Sequence, residues 1–334
     1  MPISAIRQDM PTAIPELDLA LLVSPVDRSP LRALDDQTLV DEGGNRFPIV
    51  NGIPRFVPVD NYSSSFGLQW NTFQATQLDK FSGLTITRDR FFHNSRWSPQ
   101  EIAGERILEV GSGAGRFTQV VLDAGAELYS VDYSSAVDAN MRNNGPHPRL
   151  HLYQASVYEL PFEYGSFDKI FCYGVLQHTP DPRKSFMSMV PFLKPGGQIA
   201  VDVYAKTWKT PFWTKYWWRP LTTKMDQETL MRVIKKVVPI YHPFAAACMR
   251  VPKIGYMLSQ ILPVACYATD FRSLTKEQLL EWSVMDTFDM LAPAYDQPQT
   301  LDTLEQWYAD AGLELIWAGL AINGPFAAVG RKPE

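Results

Sequence analysis

Three glycines at alternate positions, Gly111, Gly113 and Gly115, follow the short apolar run 107–110. Glycine has no Cβ and tolerates positive φ, so a turn of this kind lets backbone approach a bound ligand closely. Glu109 sits two residues before the first glycine, where an acidic side chain suits a ligand carrying positive charge. A second acidic residue, Asp132, stands 21 residues beyond Gly111, just after the mostly apolar stretch 128–131. A carboxylate there can take both hydroxyls of a ribose. Together these residues read as a nucleoside cofactor site.

The dinucleotide fingerprint G-x-G-x-x-G/A needs a small residue at its third position, for close helix–strand packing. Arg116 stands there, which disfavours an NAD-dependent oxidoreductase. A G-x-G-x-G run after an acidic residue instead resembles motif I of the class I S-adenosylmethionine (SAM)-dependent methyltransferases. Later landmarks resemble that family in order and spacing: Leu160-Pro161-Phe162, Ser166-Phe167-Asp168, Leu176-Gln177-His178-Thr179-Pro180-Asp181 and Leu193-Lys194-Pro195-Gly196-Gly197.

The resemblance implies an α/β, Rossmann-like seven-stranded sheet that takes SAM as cofactor and releases S-adenosylhomocysteine. It implies that Gly111, Ser112, Gly113, Gly115 and Arg116 border the methionine and ribose parts. Glu109 would hold the amino group, Asp132 the ribose, and Tyr133 would lie against adenine. The family often has an aspartate reaching the adenine amino group where this chain has Ser156, with the Val157 backbone beside it. Tyr173 and Gly174 end the fourth strand of the fold, next to the sulfonium.

Methyl transfer is an in-line displacement, for which a protein supplies orientation, desolvation and, for hydroxyl acceptors, a base. His178 follows the fourth strand, and an imidazole titrates in the range that suits proton transfer near neutrality. It is the candidate catalytic base, the alternative being a residue that positions cofactor or loop. Gln177, His178, Tyr204, Trp208, Asp286, Asp289 and Tyr295 are the candidate substrate contacts, since acidic and phenolic groups bind polyols or amines. Asp286 reads equally as a helix cap.

The elements that must hold these residues alternate between strand and helix, which implies a parallel sheet covered on both faces. Strands are expected near 106–110, 127–131, 150–154, 167–173 and 198–204. A helix near 301–312 precedes two last strands near 313–320 and 325–331, joined by an Asn323-Gly324 hairpin turn. Residues 101–205 and 300–334 thus form the cofactor-binding core.

Residues 1–60 read as a small β-rich module of apolar strands, 19–27 and 46–54, around a polar stretch. It resembles the zinc-ribbon-derived activator domain of tRNA methyltransferases, whose Cys-Pro-x-Cys positions are here Ser24 and Asp27. Zinc needs thiolate or imidazole ligands, so no metal is expected, and the module's role is structural or dimerising. Residues 61–100 are aromatic-rich and helical in pattern. They resemble a cofactor lid, with Tyr62 and Gln69 as contacts. Residues 206–299 form a helical insertion over the ligand edge, opening on Trp208, Trp213, Trp217 and Trp218 with Lys209, Lys215, Arg219 and Lys224 interleaved. Core packing, a stacking wall for substrate and contact with a membrane surface are the three readings of that cluster.

Composition narrows the function classes. A hydrophobic content of 46% supports a sizeable core, and a net charge of −5 gives no general attraction to nucleic acid. Three dispersed cysteines fit no metal-ligand pair or disulfide framework, which suits a reducing cytoplasm. The N-terminal stretch lacks the apolar core of a signal peptide. The expectation is a methyltransferase acting on a small molecule, favouring a hydroxyl of a sugar or specialised metabolite. An N-methyltransferase and a non-catalytic SAM-binding subunit are the alternatives.

Overall fold

A computed structural model describes residues 17–58, 61–251, 255, 261–267, 270–271, 273–322 and 324–334. Asn323, the N-terminal stretch 1–16 and part of the insertion's second half lie outside the described residues.

The chain opens with a four-stranded antiparallel sheet of β1 (Arg32–Asp35), β2 (Thr38–Val40), β3 (Arg46–Val50) and β4 (Ile53–Pro54). Two of these strands lie in the stretch expected to be polar connection. The expected strand 19–27 is reduced to isolated bridges, Leu22 to Phe162 and Val23 to Pro30. The reason lies in the prolines and in burial: Pro25 and Pro30 have no N–H for a ladder, and Leu21 and Leu22 are packed into the main core. Ser24 Oγ donates to Asp41 Oδ2 at 2.7 Å, and Asn45 Nδ2 donates to the same oxygen at 2.8 Å, closing the turn after β2.

Four short helices follow: α1 (Ser64–Thr72), α2 (Asp79–Ser82), α3 (Ile86–Ser95) and α4 (Pro99–Ile102). Then strands and helices alternate through β5 (Arg106–Val110), α5 (Arg116–Asp123), β6 (Glu127–Asp132), α6 (Val137–Asn144), β7 (Leu150–Gln154), β8 (Phe167–Cys172), α7 (Pro182–Met189) and β9 (Leu193–Val203). The insertion supplies α8 (Lys215–Thr222), α9 (Gln227–Met249) and α10 (Lys276–Leu291), and the chain finishes with α11 (Leu301–Asp310), β10 (Glu314–Leu320) and β11 (Phe326–Arg331).

The main sheet has seven strands in the order β10-β11-β9-β8-β5-β6-β7. β5 to β9 are mutually parallel, and β11 runs antiparallel between β9 and β10. Strand order reverses between β5 and β8, the place where loops at the carboxyl ends diverge and leave a crevice. One buried cluster fills the face under α7 and α11, and a second fills the face under α3, α5 and α6. A third, containing Leu230, Ile234, Val238, Met285 and Phe288, holds α9 against α10. β9 starts five residues earlier than expected, because Leu193 already pairs with Phe167 of β8.

Candidate functional site

Each of the three glycines does a different job. Gly111 has φ +85°, and a Cβ there would overlap the Val175 side chain in the loop after β8. Gly113, at φ +53°, lies under the α1 indole: a Cβ would stand 3.1 Å from Trp70 Nε1. Gly115, at φ +83°, precedes α5, and a Cβ there would overlap Asn140 on α6. Gly111 and Gly113 line a cavity of about 890 Å³ at the switch point, and Gly115 does not. Its lack of a side chain clears room for Asn140 and Asn144 of α6 instead.

The two acidic residues also divide. Asp132, ending β6, faces the cavity; its Oδ2 accepts from the Gly113 N–H at 2.8 Å and its Oδ1 from the Ser134 N–H at 2.8 Å. Burial raises its pKa. Glu109 is enclosed behind the loop, off the cavity wall. Its carboxyl accepts from the Thr118 hydroxyl and from Ser130 Oγ at 2.7 Å, while Asn140 Nδ2 reaches Thr118 Oγ1 at 2.9 Å. Burial pushes Glu109 up to about 7 against those hydrogen bonds. Through Oε2 it ties β5, α5, β6 and α6 together, while Oε1 is buried without a partner among the described residues.

Of the residues expected to meet a cofactor, the cavity wall brings together Tyr62, Gln69, Gly111, Ser112, Gly113 and Arg116 with Asp132, Tyr133, Val157, Tyr173 and Gly174. Arg116 is buried, bonded to Gln77, and lowered to about 10 by burial and the nearby Arg90. Tyr62 and Tyr133 lie with ring centroids 4.9 Å apart. Ser156 is absent from the wall: its Oγ turns back to accept the Tyr158 N–H at 3.2 Å, an ordinary local bond for a serine.

On the same wall stand His178, Tyr204, Asp286 and Asp289. His178 Nδ1 lies 2.9 Å from the Tyr295 carbonyl oxygen. A carbonyl only accepts, so the proton sits on Nδ1 and the neutral ring keeps its lone pair on Nε2. Nε2 is buried and has no hydrogen-bond partner among the described residues. Phe66 and Tyr204 pack edge-on to the imidazole, with centroids at 5.1 and 5.3 Å.

Tyr204 Oη donates to Asp289 Oδ2 at 2.9 Å, and Gln69 Nε2 to Asp289 Oδ1 at 3.4 Å. Asp286 accepts from Tyr267, from Trp282 Nε1 at 3.1 Å and from Gln77 Nε2 at 3.2 Å. Burial raises Asp286 to about 7, with Asp289 adding to the rise. It lies mid-helix in α10, so the capping alternative is excluded.

Three expected substrate contacts stand elsewhere. Trp208 is 77% exposed and off the wall, since the segment that carries it turns outward before Thr210. Gln177 is buried behind His178, its carbonyl accepting from the Gln297 N–H at 2.8 Å. Tyr295 contributes its carbonyl to His178 and its ring edge to Tyr62 at 5.5 Å, from outside the wall.

Several contacts that shape the site were not read from the sequence. Asp202 on β9 is buried and accepts from Arg90 Nη2 at 2.5 Å, Asn94 Nδ2 at 3.1 Å and the Gly174 N–H at 2.6 Å. It fixes the loop after β8 to α3. Lys215 pairs with the buried Asp296 at 2.6 Å, clamping α8 over the loop that follows α10. Trp282 and Asp286 are four apart on α10, a spacing that places both on one helix face and was legible in principle.

The wall fits the group that the fold implies. Ser112 Oγ is buried without a partner among the described residues, between two glycines that have no side chain and beside Asp132. That set of donors and acceptors suits the ribose and amino-acid parts of SAM, and the cavity volume is of the size that takes a small cofactor with an acceptor.

Comparisons with known proteins agree. Residues 108–201 match the family described as a methyltransferase domain. A ubiquinone biosynthesis O-methyltransferase of Xanthomonas oryzae is 31% identical over 160 residues, covering 40% of this chain and 63% of the relative. A demethylmenaquinone methyltransferase of Clavibacter sepedonicus is 31% identical over 101 residues, covering 30% of this chain and 41% of the relative. The matched stretch thus spans less than two thirds of either relative. Among solved structures, a SAM-dependent methyltransferase from Methanosarcina mazei is similar with a TM-score of 0.41 and 15% identity, over 69% of this chain and 93% of that one. With motif I at the end of β5, the seven-stranded order and the match over residues 108–201, the chain carries a class I, SAM-dependent methyltransferase domain.

Proposed function

We propose that this protein transfers the methyl group of SAM to a hydroxyl of a small-molecule acceptor, a sugar or a specialised metabolite. One observation carries the reading: His178, a residue of the cavity wall, is locked by its Nδ1 proton to the Tyr295 carbonyl and keeps a buried Nε2 that has no partner among the described residues. That arrangement suits a base, which a hydroxyl acceptor needs and an amine does not. The relative named for O-methylation in ubiquinone biosynthesis also supports a hydroxyl acceptor.

In this reading the cofactor half of the wall, with Asp132 and Ser112, holds SAM, which supplies an electrophilic methyl when bound. Residues 101–205 and 300–334 form the cofactor core, 61–100 the lid and 206–299 the substrate cover. Phe66 and Tyr204 keep water from His178, and the buried Nε2 takes the proton of the acceptor hydroxyl. Asp289, polarised by Tyr204 and Gln69, orients further hydroxyls of the acceptor. A cavity of this size favours an enzyme over a non-catalytic SAM-binding subunit.

The pair Asp286 and Asp289 favours a second reading, N-methylation of an amine held by those carboxylates. Product analysis by mass spectrometry with hydroxylated and amine acceptors separates the two. Methylated hydroxyl products that vanish in His178→Ala support the first. Amine methylation untouched by that substitution moves the assignment to the second. Binding of NAD in place of S-adenosylhomocysteine in a calorimetric titration overturns both.

A further inference from the structure

The outer face of the insertion has a composition unlike the rest of the chain. Residues 206–251 hold nine of the 31 Lys and Arg but two of the 36 Asp and Glu, a local balance of +7 in a chain of net charge −5. Lys215 and Arg219 are buried against Asp296 and backbone carbonyls. The other seven cations are exposed.

Large apolar side chains share that surface. On α9, Val233, Val237, Ile240 and Phe244 are exposed, Ile240 to 81%. Their spacing puts them within a strip about 60° wide on an ideal helix. A second apolar strip, containing Leu230, Ile234 and Val238, is the one that packs on α10. Arg232 and Lys236 border the exposed strip on the side away from the buried one. On α8, Trp217, Trp218 and Leu221 are exposed, whereas Arg219 and Thr222 bind carbonyls of the segment 290–293. Both helices therefore anchor one face on α10 and its sequel and leave an aromatic or aliphatic face outward, bordered by cations.

A soluble partner would meet scattered large hydrophobics here; a bilayer surface meets the whole pattern. Trp and aliphatic side chains enter the boundary of headgroup and acyl chain, and Lys and Arg meet anionic phosphates. We propose that the outer face of α8 and α9 docks on an anionic lipid bilayer, lying on it rather than crossing it. Among the described residues no helix is long and apolar enough to span. Trp213, Lys215 and Met249 of the same insertion line the cavity. Resting on the methyl-transfer reading, an amphiphilic acceptor held in that bilayer would reach His178 from the insertion side.

The test is sedimentation of the full chain with vesicles of phosphatidylcholine alone and with vesicles of phosphatidylcholine and phosphatidylglycerol in equal parts. Binding to the anionic vesicles only, weakened by salt, is expected. Lys236→Glu is expected to lower partitioning about tenfold, as is Ile240→Ser. S-adenosylhomocysteine binding, measured by calorimetry, should stay unchanged in both variants, which separates this proposal from the catalytic one and shows that the variants fold. Sedimentation with neither vesicle overturns the proposal, as does equal binding of the variants. A dimer in gel filtration that Ile240→Ser breaks, without vesicle binding, overturns it in favour of a second copy of this chain.

Discussion

The Nδ1 atom of His178 stands 2.9 Å from the backbone carbonyl oxygen of Tyr295, 117 residues away in sequence. The contact joins the loop after β8 to the loop after α10, within the insertion, and fixes the imidazole tautomer. A base gains from that: the bond holds the ring in place with its lone pair on Nε2.

His178→Ala is expected to lower kcat by about 10²- to 10⁴-fold for a hydroxyl acceptor. The dissociation constant of S-adenosylhomocysteine should change little, because the proposed function gives His178 to the acceptor and not to the cofactor. Single-turnover kinetics with calorimetry separates the two quantities. A comparable loss in both would make His178 a cofactor-positioning residue instead.

Gly111 tests the cofactor turn by two mechanisms at once. A Cβ there meets positive φ, +85°, and overlaps Val175. Gly111→Ala is expected to cost about 1–3 kcal/mol in urea unfolding, with weaker S-adenosylhomocysteine binding. Adding Val175→Ala removes the overlap but leaves the backbone strain, so the double variant should recover part of the loss. Full recovery would assign the whole cost to packing.

How much of this was legible before the structure follows from the range of each interaction. Strand β5, its first two glycines and Asp132 depend on local pattern, so their place at the cavity could be read from residues 106–132. Gly115 and Glu109 lie off the cavity wall, and no local pattern shows it: a glycine or carboxylate near a ligand loop looks the same in sequence whether it faces ligand or helix. What separates them is Asn140 and Ser130, brought in by α6 and β6. The tryptophan cluster is ambiguous for the same reason: Trp208, Trp217 and Trp218 face water while Trp213 lines the cavity. Asp202 left no trace because its partners, Arg90 and Asn94, are 112 and 108 residues away.

That buried Asp202 is expected to be the most costly single truncation near the site. It is 1% exposed and holds Arg90, Asn94 and the Gly174 N–H. Asp202→Ala leaves the Arg90 guanidinium buried without its partner, a loss of about 3–5 kcal/mol. Replacing both residues, Arg90→Leu with Asp202→Leu, removes the unpaired charge and should cost less than the sum of the single variants. Thermal and urea unfolding of the four proteins in the cycle measure the coupling.

Two buried carboxyls set the response to pH. Burial raises Glu109 from 4.5 to about 7 and Asp286 from 3.8 to about 7. The folded chain therefore holds protons that the unfolded chain has released, and the stability these groups contribute is full below the unfolded values and lost as pH rises to about 7. Across that window each group tilts the unfolding free energy downward by at most about 1.4 kcal/mol per pH unit. Glu109→Gln keeps an acceptor for Thr118 and Ser130 but carries no titrating proton. Its stability should fall less steeply than that of the parent between pH 5 and pH 7, so that the variant gains on the parent as pH rises. Adding Asp286→Asn should flatten the profile further. Urea unfolding at a series of pH values reads the slopes, and parallel profiles for parent and double variant would show that neither carboxyl binds a proton in this range.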